Sequence, residues 1–422
     1  MHFSKQKFDL HSTVVFLDVD GTLVADKEET LSAEVLAAVT KLSEDNEVYL
    51  ASNGKAERAE GIAKLHHLKT LPKLHKPLLS KAVKTAKGER SVVVIGDKFL
   101  TDGVFALLLG ARFLKVDRII GKDESTYTKG IYALDDLVWG CVPYISLLRP
   151  YQWIKNLLVF SPLFFAGALF VPNALSASLA AFAAFCLAAS AVYVLNDIFD
   201  REQDKEHPKK QERSIASGRV SVSCAYLFVF LLSAALLSIL WLLPILAPVL
   251  IAYAALNVAY SAWFKHIAIL DILCVAVFYI MRVFAGGAAT GIAVSNWLIV
   301  CVFFLSLFII VGKRRAEFRL EKRRKVLAQY SKKFLDGLLF VSAALAVAAY
   351  GAYTIFGNSS PFIFYTTIFV AAALFRVINR LYTNPAEAEV PEKMLVQDPW
   401  ILGSFALWGC SLLYIFYVTP AG

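Results

Sequence analysis

Asn196-Asp197-Ile198-Phe199-Asp200-Arg201-Glu202-Gln203-Asp204, which follows directly on the apolar run Ala191-Val192-Tyr193-Val194-Leu195, decides how this chain is read. Asp197, Asp200 and Asp204 stand at i, i+3 and i+7, a spacing that stacks three carboxylates on one face of a helix. Like charges held that close repel unless a cation sits between them. At the end of a membrane helix the row, with Asn196 beside it, is therefore a divalent-cation site: hard oxygen donors suited to Mg2+, which in turn grips a diphosphate. The competing reading is a solvated helix end, but ionisable groups at membrane depth are functional by default.

The surrounding composition supports the membrane setting. The 422 residues are 58% hydrophobic and only 18% charged, with a mean hydropathy of +0.58, too apolar for one soluble domain. From Asn156 onward nine apolar runs, centred near residues 164, 186, 231, 252, 278, 302, 346, 370 and 409, each approach the roughly 20 residues a spanning helix needs. The net charge of +9 gathers in clusters at 201–219, 264–266 and 313–333, each after an even-numbered run, while the loops after the third and fifth runs carry no charge. With a cytosolic N-terminus, every basic loop is then cytosolic and the C-terminus lies outside. The connection 379–398, with Pro385 and Pro391, reads as a solvated loop on the cytosolic side. The start, MHFSKQKFDLHSTVVFLDVDG, lacks an uninterrupted apolar stretch behind a basic head, so no secretory signal is expected. Five of the six cysteines lie in apolar runs and none forms a CxxC pair, which supports neither a disulfide framework nor a zinc site. The expected organisation is an α/β domain over 1–130, a linker or interfacial helix over 131–155, and an all-α membrane domain of nine helices over 156–422.

Basic and polar residues near the row are candidates for phosphate. Lys155 and Asn156 open the first run, and Lys205, Lys210 and Arg213 follow the aspartates; ordinary interfacial snorkelling is the alternative for each. Tyr260 and Lys265 flank the fourth loop, and Lys313 and Arg314 end the sixth helix, where a topology signal or anionic-lipid contact is the alternative. Arg282 sits about three turns deep in an apolar helix and needs a carboxylate or substrate phosphate as partner. Asp271, eleven residues earlier and so roughly 16 Å away on one helix, does not supply it. Gly286-Gly287 is read as close helix packing.

In the N-terminal part, Thr13-Val14-Val15-Phe16-Leu17 reads as a buried strand running into Asp18-Val19-Asp20-Gly21-Thr22. Two aspartates one residue apart at a strand end can act as nucleophile and general acid/base. A second strand, Val48-Tyr49-Leu50-Ala51, ends at Ser52-Asn53; a third, Val92-Val93-Val94-Ile95, ends at Gly96-Asp97 with Asp102 beyond, and Lys76 lies between the two. Strands alternating with helices predict a parallel sheet whose polar strand ends form the ligand edge.

NDxxDxxxD after a second membrane helix resembles the UbiA superfamily of membrane prenyltransferases, from about Tyr144 to the end. LRPYQWIKN (148–156), HPKKQERSIASG (207–218), YSAWFKHIAILD (260–271), RVFAGG (282–287) and GKRRAE (312–317) are similar to one branch, the decaprenyl-phosphate phosphoribosyltransferases. That likeness implies transfer of a phosphoribosyl group from phosphoribosyl pyrophosphate to a polyprenyl phosphate. Prenyl-transferring members usually carry a second aspartate-rich motif after helix six; Lys313-Arg314-Arg315 stands there instead, suited to a donor bearing a 5-phosphate as well as a pyrophosphate. By the resemblance, Asp197, Asp200 and Asp204 are catalytic and bind Mg2+ with Asn196. Lys155, Asn156, Lys205, Lys210, Arg213, Tyr260, Lys265, Arg282, Lys313 and Arg314 bind substrate.

The set DxDGT, S, K and GDxxxTD resembles the haloacid dehalogenase (HAD) phosphatases over residues 10–120, with spacing like the small capless group that includes YqeG and the phosphatidylglycerophosphate phosphatases. This implies that Asp18 attacks phosphorus, Asp20 protonates the leaving group, and Thr22, Ser52, Asn53 and Lys76 hold the phosphate. Asp18, Asp20, Asp97 and Asp102 would hold Mg2+. The short stretch between Ser52 and Lys76 leaves no room for a cap, and an open site suits a bulky substrate such as a lipid head group. The expected whole is a bifunctional enzyme of a bacterial inner membrane, with Mg2+ in both domains, that makes polyprenyl-phosphoryl-ribose. Its partners are polyprenyl phosphate, phosphoribosyl pyrophosphate and the bilayer; no nucleic acid is expected, and oligomerisation stays open. One alternative keeps the membrane enzyme with another donor or acceptor, the HAD domain acting on a phosphatidylglycerophosphate-like lipid or a soluble sugar phosphate. Another is a non-catalytic membrane sensor, against which the full set of carboxylates argues.

Overall fold

The computed structural model describes all residues except 1, 7, 26–27, 29, 54–55, 72–74, 79–82, 84–85, 88–89, 122–123, 208–209, 319–324, 358–360, 385–393, 395–397 and 419–422. The expected loop around Pro385 and Pro391, and residues 319–324 of the basic stretch 313–333, lie outside the described residues. The chain divides into two compact units, Met1–Pro143 and Tyr144–Gly422.

The first unit is a parallel sheet of β1 (Val14–Leu17), β2 (Glu47–Leu50), β3 (Lys69–Thr70), β4 (Val92–Gly96) and β5 (Arg112–Lys115), in the order β3-β2-β1-β4-β5. β1 is central, and its four residues are all buried because alternate side chains enter cores on opposite faces. Val15 and Leu17 pack with Val39 and Leu42 of α1 (Ala33–Asp45) and Ile62 of α2 (Ala56–Leu65). Val14 and Phe16 pack with Phe105 and Ala106 of α3 (Val104–Leu109). In register, Leu17 lies beside Leu50 and Ile95, so the chain leaves the sheet at Asp18, Ala51 and Asp97 along one edge. The strand order reverses between β1 and β4, where doubly wound sheets keep their ligand crevice.

A helix, α4 (Thr126–Leu148), follows, starting and ending earlier than the expected linker. By length and composition it could cross a membrane. Its carboxylates decide otherwise. Asp135, buried, accepts hydrogen bonds from the Phe99 and Leu100 amides at 3.1 and 2.7 Å and from Lys115 Nζ at 3.0 Å, and Asp136 takes Lys115 at 2.8 Å. Trp139 adds an edge-on contact with Phe113. These groups belong to the sheet unit, and the residues after Asp136 extend only about 18 Å, short of a hydrocarbon core of about 30 Å.

The second unit is helical. The first expected membrane run is not a long α-helix: residues Pro150–Phe160 form a 3-10 helix, continued by the short α5 (Ser161–Phe165). A 3-10 helix rises about 2.0 Å per residue against 1.5 Å in an α-helix, so the two pieces together still extend about 30 Å. Arg149 enters this segment with φ of 51°, and Pro150 and Pro162 stand in the first turns of its two pieces, where a missing N–H leaves no bond unmade. Eight further helices are long and apolar enough to cross a membrane among the described residues. These are α6 (Pro172–Phe199), which the short α7 (Arg201–Lys205) follows, α8 (Val222–Leu242), α9 (Ala247–Ala262, taken with the turn before it), α10 (Leu270–Thr290), α11 (Asn296–Glu317), α12 (Lys332–Phe356), α13 (Thr367–Thr383, again with its preceding turn) and α14 (Pro399–Tyr417). One core joins α10, α11 and α12 around Val283, Val311 and Leu339; another joins α6, α9 and α10 around Phe185, Tyr253 and Ala285. Gly286 on α10 makes room for the 3-10 segment: a Cβ there would lie 1.9 Å from the Val159 carbonyl oxygen, which is the close packing its sequence implies.

Candidate functional site

In the first unit the edge at β1 and β4 gathers three buried carboxylates. Asp18, Asp97 and Asp102 each place an oxygen within 4.8 Å of the other two. Asp102 joins them through a single wide turn over Phe99–Gly103. Lys76 Nζ donates to Asp18 Oδ1 at 2.5 Å and also to Asp102. Thr22 Oγ1 donates to Asp18 Oδ2 at 3.1 Å and Asp97 Oδ1 at 3.4 Å. Asp20 is held differently, accepting from Ser52 Oγ at 2.6 Å. Asn53 and Lys76 exchange two hydrogen bonds, its amide donating to the Lys76 carbonyl at 2.7 Å and its oxygen accepting from the Lys76 N–H at 2.6 Å. Gly21, at φ of 84°, passes so close that a Cβ would lie 2.7 Å from Asp97 Oδ2.

The electrostatics follow from burial. Desolvation, with Asp18's charge added, pushes Asp102 up to about 7, and desolvation also raises Asp97. Burial works against the Lys76 ammonium, yet the charges of Asp102 and Asp18 hold it above its ordinary value. Such a cluster demands cations, and its donors are hard oxygens, so Asp18, Asp97 and Asp102 fit a divalent ion. Arg118 was not singled out by sequence. Its Nε donates to Asp97 Oδ2 at 2.7 Å, its Nη2 to the Asp97 carbonyl at 3.2 Å, and its guanidinium lies 4.0 Å from the Tyr132 ring centre. It stands beyond β5 with no motif around it.

In the second unit α6 ends at Phe199, Asp200 forms the joint, and α7 carries Asp204. Asp197 and Asp204 are buried and converge on one atom: Arg213 Nη1 donates to Asp197 Oδ1 at 2.9 Å and Asp204 Oδ2 at 2.6 Å. Two carboxylates meeting at one cation-sized point suit a divalent metal, which Asp200, half-buried at the joint, and Asn196, one residue before Asp197, could join. Lys210 Nζ lies 3.6 Å from Asp204 Oδ1. Arg149 Nη2 donates to Asp197 Oδ1 at 2.5 Å, and its guanidinium lies 5.1 Å from the Tyr193 ring centre. Sequence reasoning passed over Arg149, although it stood inside LRPYQWIKN; a cation directly before the Pro that ends α4 was the available signal.

The other expected site residues make the following contacts. Lys205 pairs with Glu202 at 2.9 Å, and Lys155 donates to Gln152 at 2.5 Å. Asn156 faces inward: its oxygen accepts from Arg282 Nε at 2.7 Å and its amide contacts Cys186 Sγ at 3.2 Å. Arg282 has no carboxylate partner among the described residues. It donates to Asn156 and the Phe278 carbonyl, with the rings of Phe185, Tyr253 and Tyr279 centred 5.4–5.9 Å from its guanidinium. Neutral dipoles and ring faces satisfy its N–H groups without a second charge. Tyr260 packs edge-on against Phe278, and Lys265 lies in the turn Phe264–His266. Arg314, expected at the donor, is buried: its Nε donates to Asp271 Oδ2 at 2.7 Å and its Nη1 to Glu317 at 3.1 Å, and Tyr330 holds the other Asp271 oxygen at 2.5 Å. The end of α11 is buried all round, Arg314 to Glu317 alike, with Arg315 pairing Asp336 at 2.5 Å, while Lys313, one position earlier, is half-buried.

Known proteins match the helical unit. The sequence pattern of the UbiA prenyltransferase family fits residues 157–396. A decaprenyl-phosphate phosphoribosyltransferase of Mycobacterium tuberculosis is 40% identical over 217 residues, 49% of this chain and 72% of that protein. One from Corynebacterium glutamicum is 32% identical over 294 residues, 65% of this chain and 87% of that protein. Among solved structures, a UbiA homologue from Archaeoglobus fulgidus bound to GPP and Mg2+ superposes with a TM-score of 0.50 at 20% identity, over 64% of this chain and 99% of its own, a likeness of fold. With the aspartate row at the end of its second membrane segment and these relatives aligned over most of their own length, the chain belongs to the UbiA prenyltransferase family.

Proposed function

We propose that the helical unit transfers 5-phosphoribose from phosphoribosyl pyrophosphate to a polyprenyl phosphate, and that the N-terminal unit is a HAD-type phosphatase that then removes the 5-phosphate. The observation that carries the first step is the convergence of Asp197 and Asp204 on one cation position ringed by Arg149, Arg213 and Lys210. Such a ring suits a donor bearing a pyrophosphate and a 5-phosphate, and the phosphoribosyltransferases among the relatives support the substrates. A phosphate oxygen of the lipid bonds to the anomeric carbon as the bond from that carbon to pyrophosphate breaks, and pyrophosphate leaves with the electron pair. Mg2+ held by Asp197, Asp200, Asp204 and Asn196 would neutralise charge growing on that leaving group. Arg213, Lys210 and Lys313 offer charge-assisted hydrogen bonds to the donor's phosphates, while Arg314 fixes the wall of the site through Asp271.

In the second step Asp18 attacks phosphorus, Asp20 gives its proton to the departing ribose oxygen, and water then frees phosphate from the Asp18 carboxyl. Lys76 and Thr22, already bonded to Asp18, orient it, and Asp97 and Asp102 complete a Mg2+ site. The basic clusters support a cytosolic N-terminal unit in a bacterial inner membrane, with the C-terminus outside. Asp204→Asn tests the assignment: with Mg2+ saturating, pyrophosphate release from polyprenyl phosphate and donor should vanish while hydrolysis of a soluble phosphomonoester persists. Wild-type transfer in that variant would overturn the reading.

A further inference from the structure

At the aspartate row a guanidinium occupies the point where a metal would bind. Arg213 Nη1 bridges Asp197 Oδ1 and Asp204 Oδ2 at 2.9 and 2.6 Å. Mg2+ binds carboxylate oxygens at about 2.0–2.1 Å, so an ion held by the same two oxygens would compete with this nitrogen for them. Arg149 donates to the same Asp197 Oδ1 but to that oxygen alone, and Lys210 lies by the second oxygen of Asp204, so Arg213 is the cation that spans the two carboxylates. Arg213 also has a way out: its side chain is 31% exposed, against 5% for Asp197 and 2% for Asp204, and it comes from a run of turns rather than a packed helix. Once off the row it stays charged, and its planar fork matches phosphate oxygens.

We propose that Arg213 is a built-in counter-ion of the aspartate row, displaced by a divalent cation and then taken up by the donor's diphosphate, so that metal and diphosphate bind cooperatively. This deepens the proposed function and rests on its reading of the row as a metal site. Without ligands, Arg213 relieves the repulsion between Asp197 and Asp204. Expelling it weakens the binding of metal alone, and a diphosphate that accepts the guanidinium restores that affinity. By linkage each ligand strengthens the other by the same factor.

The test uses the full-length protein in detergent, with Mn2+ binding followed by electron paramagnetic resonance at fixed free Mn2+, with and without inorganic pyrophosphate. In the wild type pyrophosphate should tighten Mn2+ binding by about fivefold or more, the lower end of ordinary site coupling. Arg213→Gln should bind Mn2+ alone more tightly than the wild type and lose most of the pyrophosphate effect. Should that variant not fold, the wild type still decides: phenylglyoxal modification of Arg213, read by peptide mass spectrometry, should rise with Mn2+ alone and fall when pyrophosphate is added. Reactivity indifferent to Mn2+, or an Arg213→Gln protein with unchanged Mn2+ affinity and unchanged coupling, overturns the counter-ion role. Asp204→Asn separates the two levels: if it abolishes the pyrophosphate-sensitive share of Mn2+ binding, leaving that of the Asp18, Asp97 and Asp102 cluster, while Arg213→Gln changes nothing, the metal reading stands and the counter-ion fails. If Mn2+ binding ignores Asp204→Asn, both fail.

Discussion

Single side chains in this protein divide by what already holds them. Arg314 and Arg213 are both cations beside carboxylates, yet Arg314 is 3% exposed and caught between Asp271 and Glu317, whereas Arg213 sits half in solvent. Truncating Arg314 to alanine strands two buried carboxylates, and breaking such a pair typically costs about 3–5 kcal/mol. The thermal midpoint of Arg314→Ala in detergent should therefore fall well below that of Lys313→Ala. An Arg314→Ala protein as stable as the wild type, with a weakened donor constant, would return Arg314 to the substrate side. Sequence could read that Lys313 and Arg314 sit at a helix end, because clusters of charge between apolar runs are visible in one dimension. It could not read which of them turns inward, because that depends on Asp271, 43 residues away. Arg118 and Arg149 were illegible for the same reason. Each is a lone cation whose carboxylate partner, Asp97 or Asp197, arrives from a distant part of the chain. The aspartates themselves were legible, since their spacing is local.

At the scale of elements, hydropathy reports that a segment is apolar but not how steeply it rises. The apolar run from Asn156, centred near residue 164, was expected as an ordinary spanning helix; over 150–165 the chain is largely 3-10 instead, which lets 16 residues cover what an α-helix needs about 20 to cover. The condition for that form is written on another helix, at Gly286, where the Val159 carbonyl comes within 1.9 Å of the absent Cβ. Gly351, on α12, has nothing within 4 Å of the same position. Gly286→Ala should thus destabilise the helical unit by about 1–3 kcal/mol through overpacking, while Gly351→Ala should be neutral or slightly stabilising. Thermal unfolding of both variants in detergent checks this, and equal midpoints would count against the close approach. α4 gives the complementary lesson: its mean hydropathy admits it as a span, and only the bonds of Asp135 to Phe99, Leu100 and Lys115 assign its first half to the sheet unit. Asp135→Ala leaves Lys115 and Arg118 short of a buried partner and should loosen the turn that carries Asp102, seen as faster amide hydrogen exchange over residues 98–103.

For the whole molecule the question is why a carboxylate cluster on a parallel sheet shares a chain with a membrane transferase. Few residues separate Ser52 from Lys76, which leaves no room there for a cap, and on the proposed reading a bulky substrate presents its own phosphate. A phosphoribosyl group joined to a polyprenyl phosphate meets that need, because its lipid holds it at the membrane surface and its 5-phosphate projects into water. On the proposed reading the fusion supplies one phosphatase with every transferase, so that the product of the first reaction would be consumed by the second. Asp18→Asn removes the nucleophile while keeping an oxygen to accept from Thr22, and the Asp197 row is untouched. Given polyprenyl phosphate, donor and Mg2+, that variant should release pyrophosphate at the wild-type rate but no inorganic phosphate, and should accumulate the 5-phosphorylated lipid. The wild type should release both and end at the dephosphorylated lipid. Mass spectrometry of the extracted lipid decides the matter: if the 5-phosphate is retained equally in both proteins, the sheet unit acts on some other phosphate and the two reactions are not consecutive.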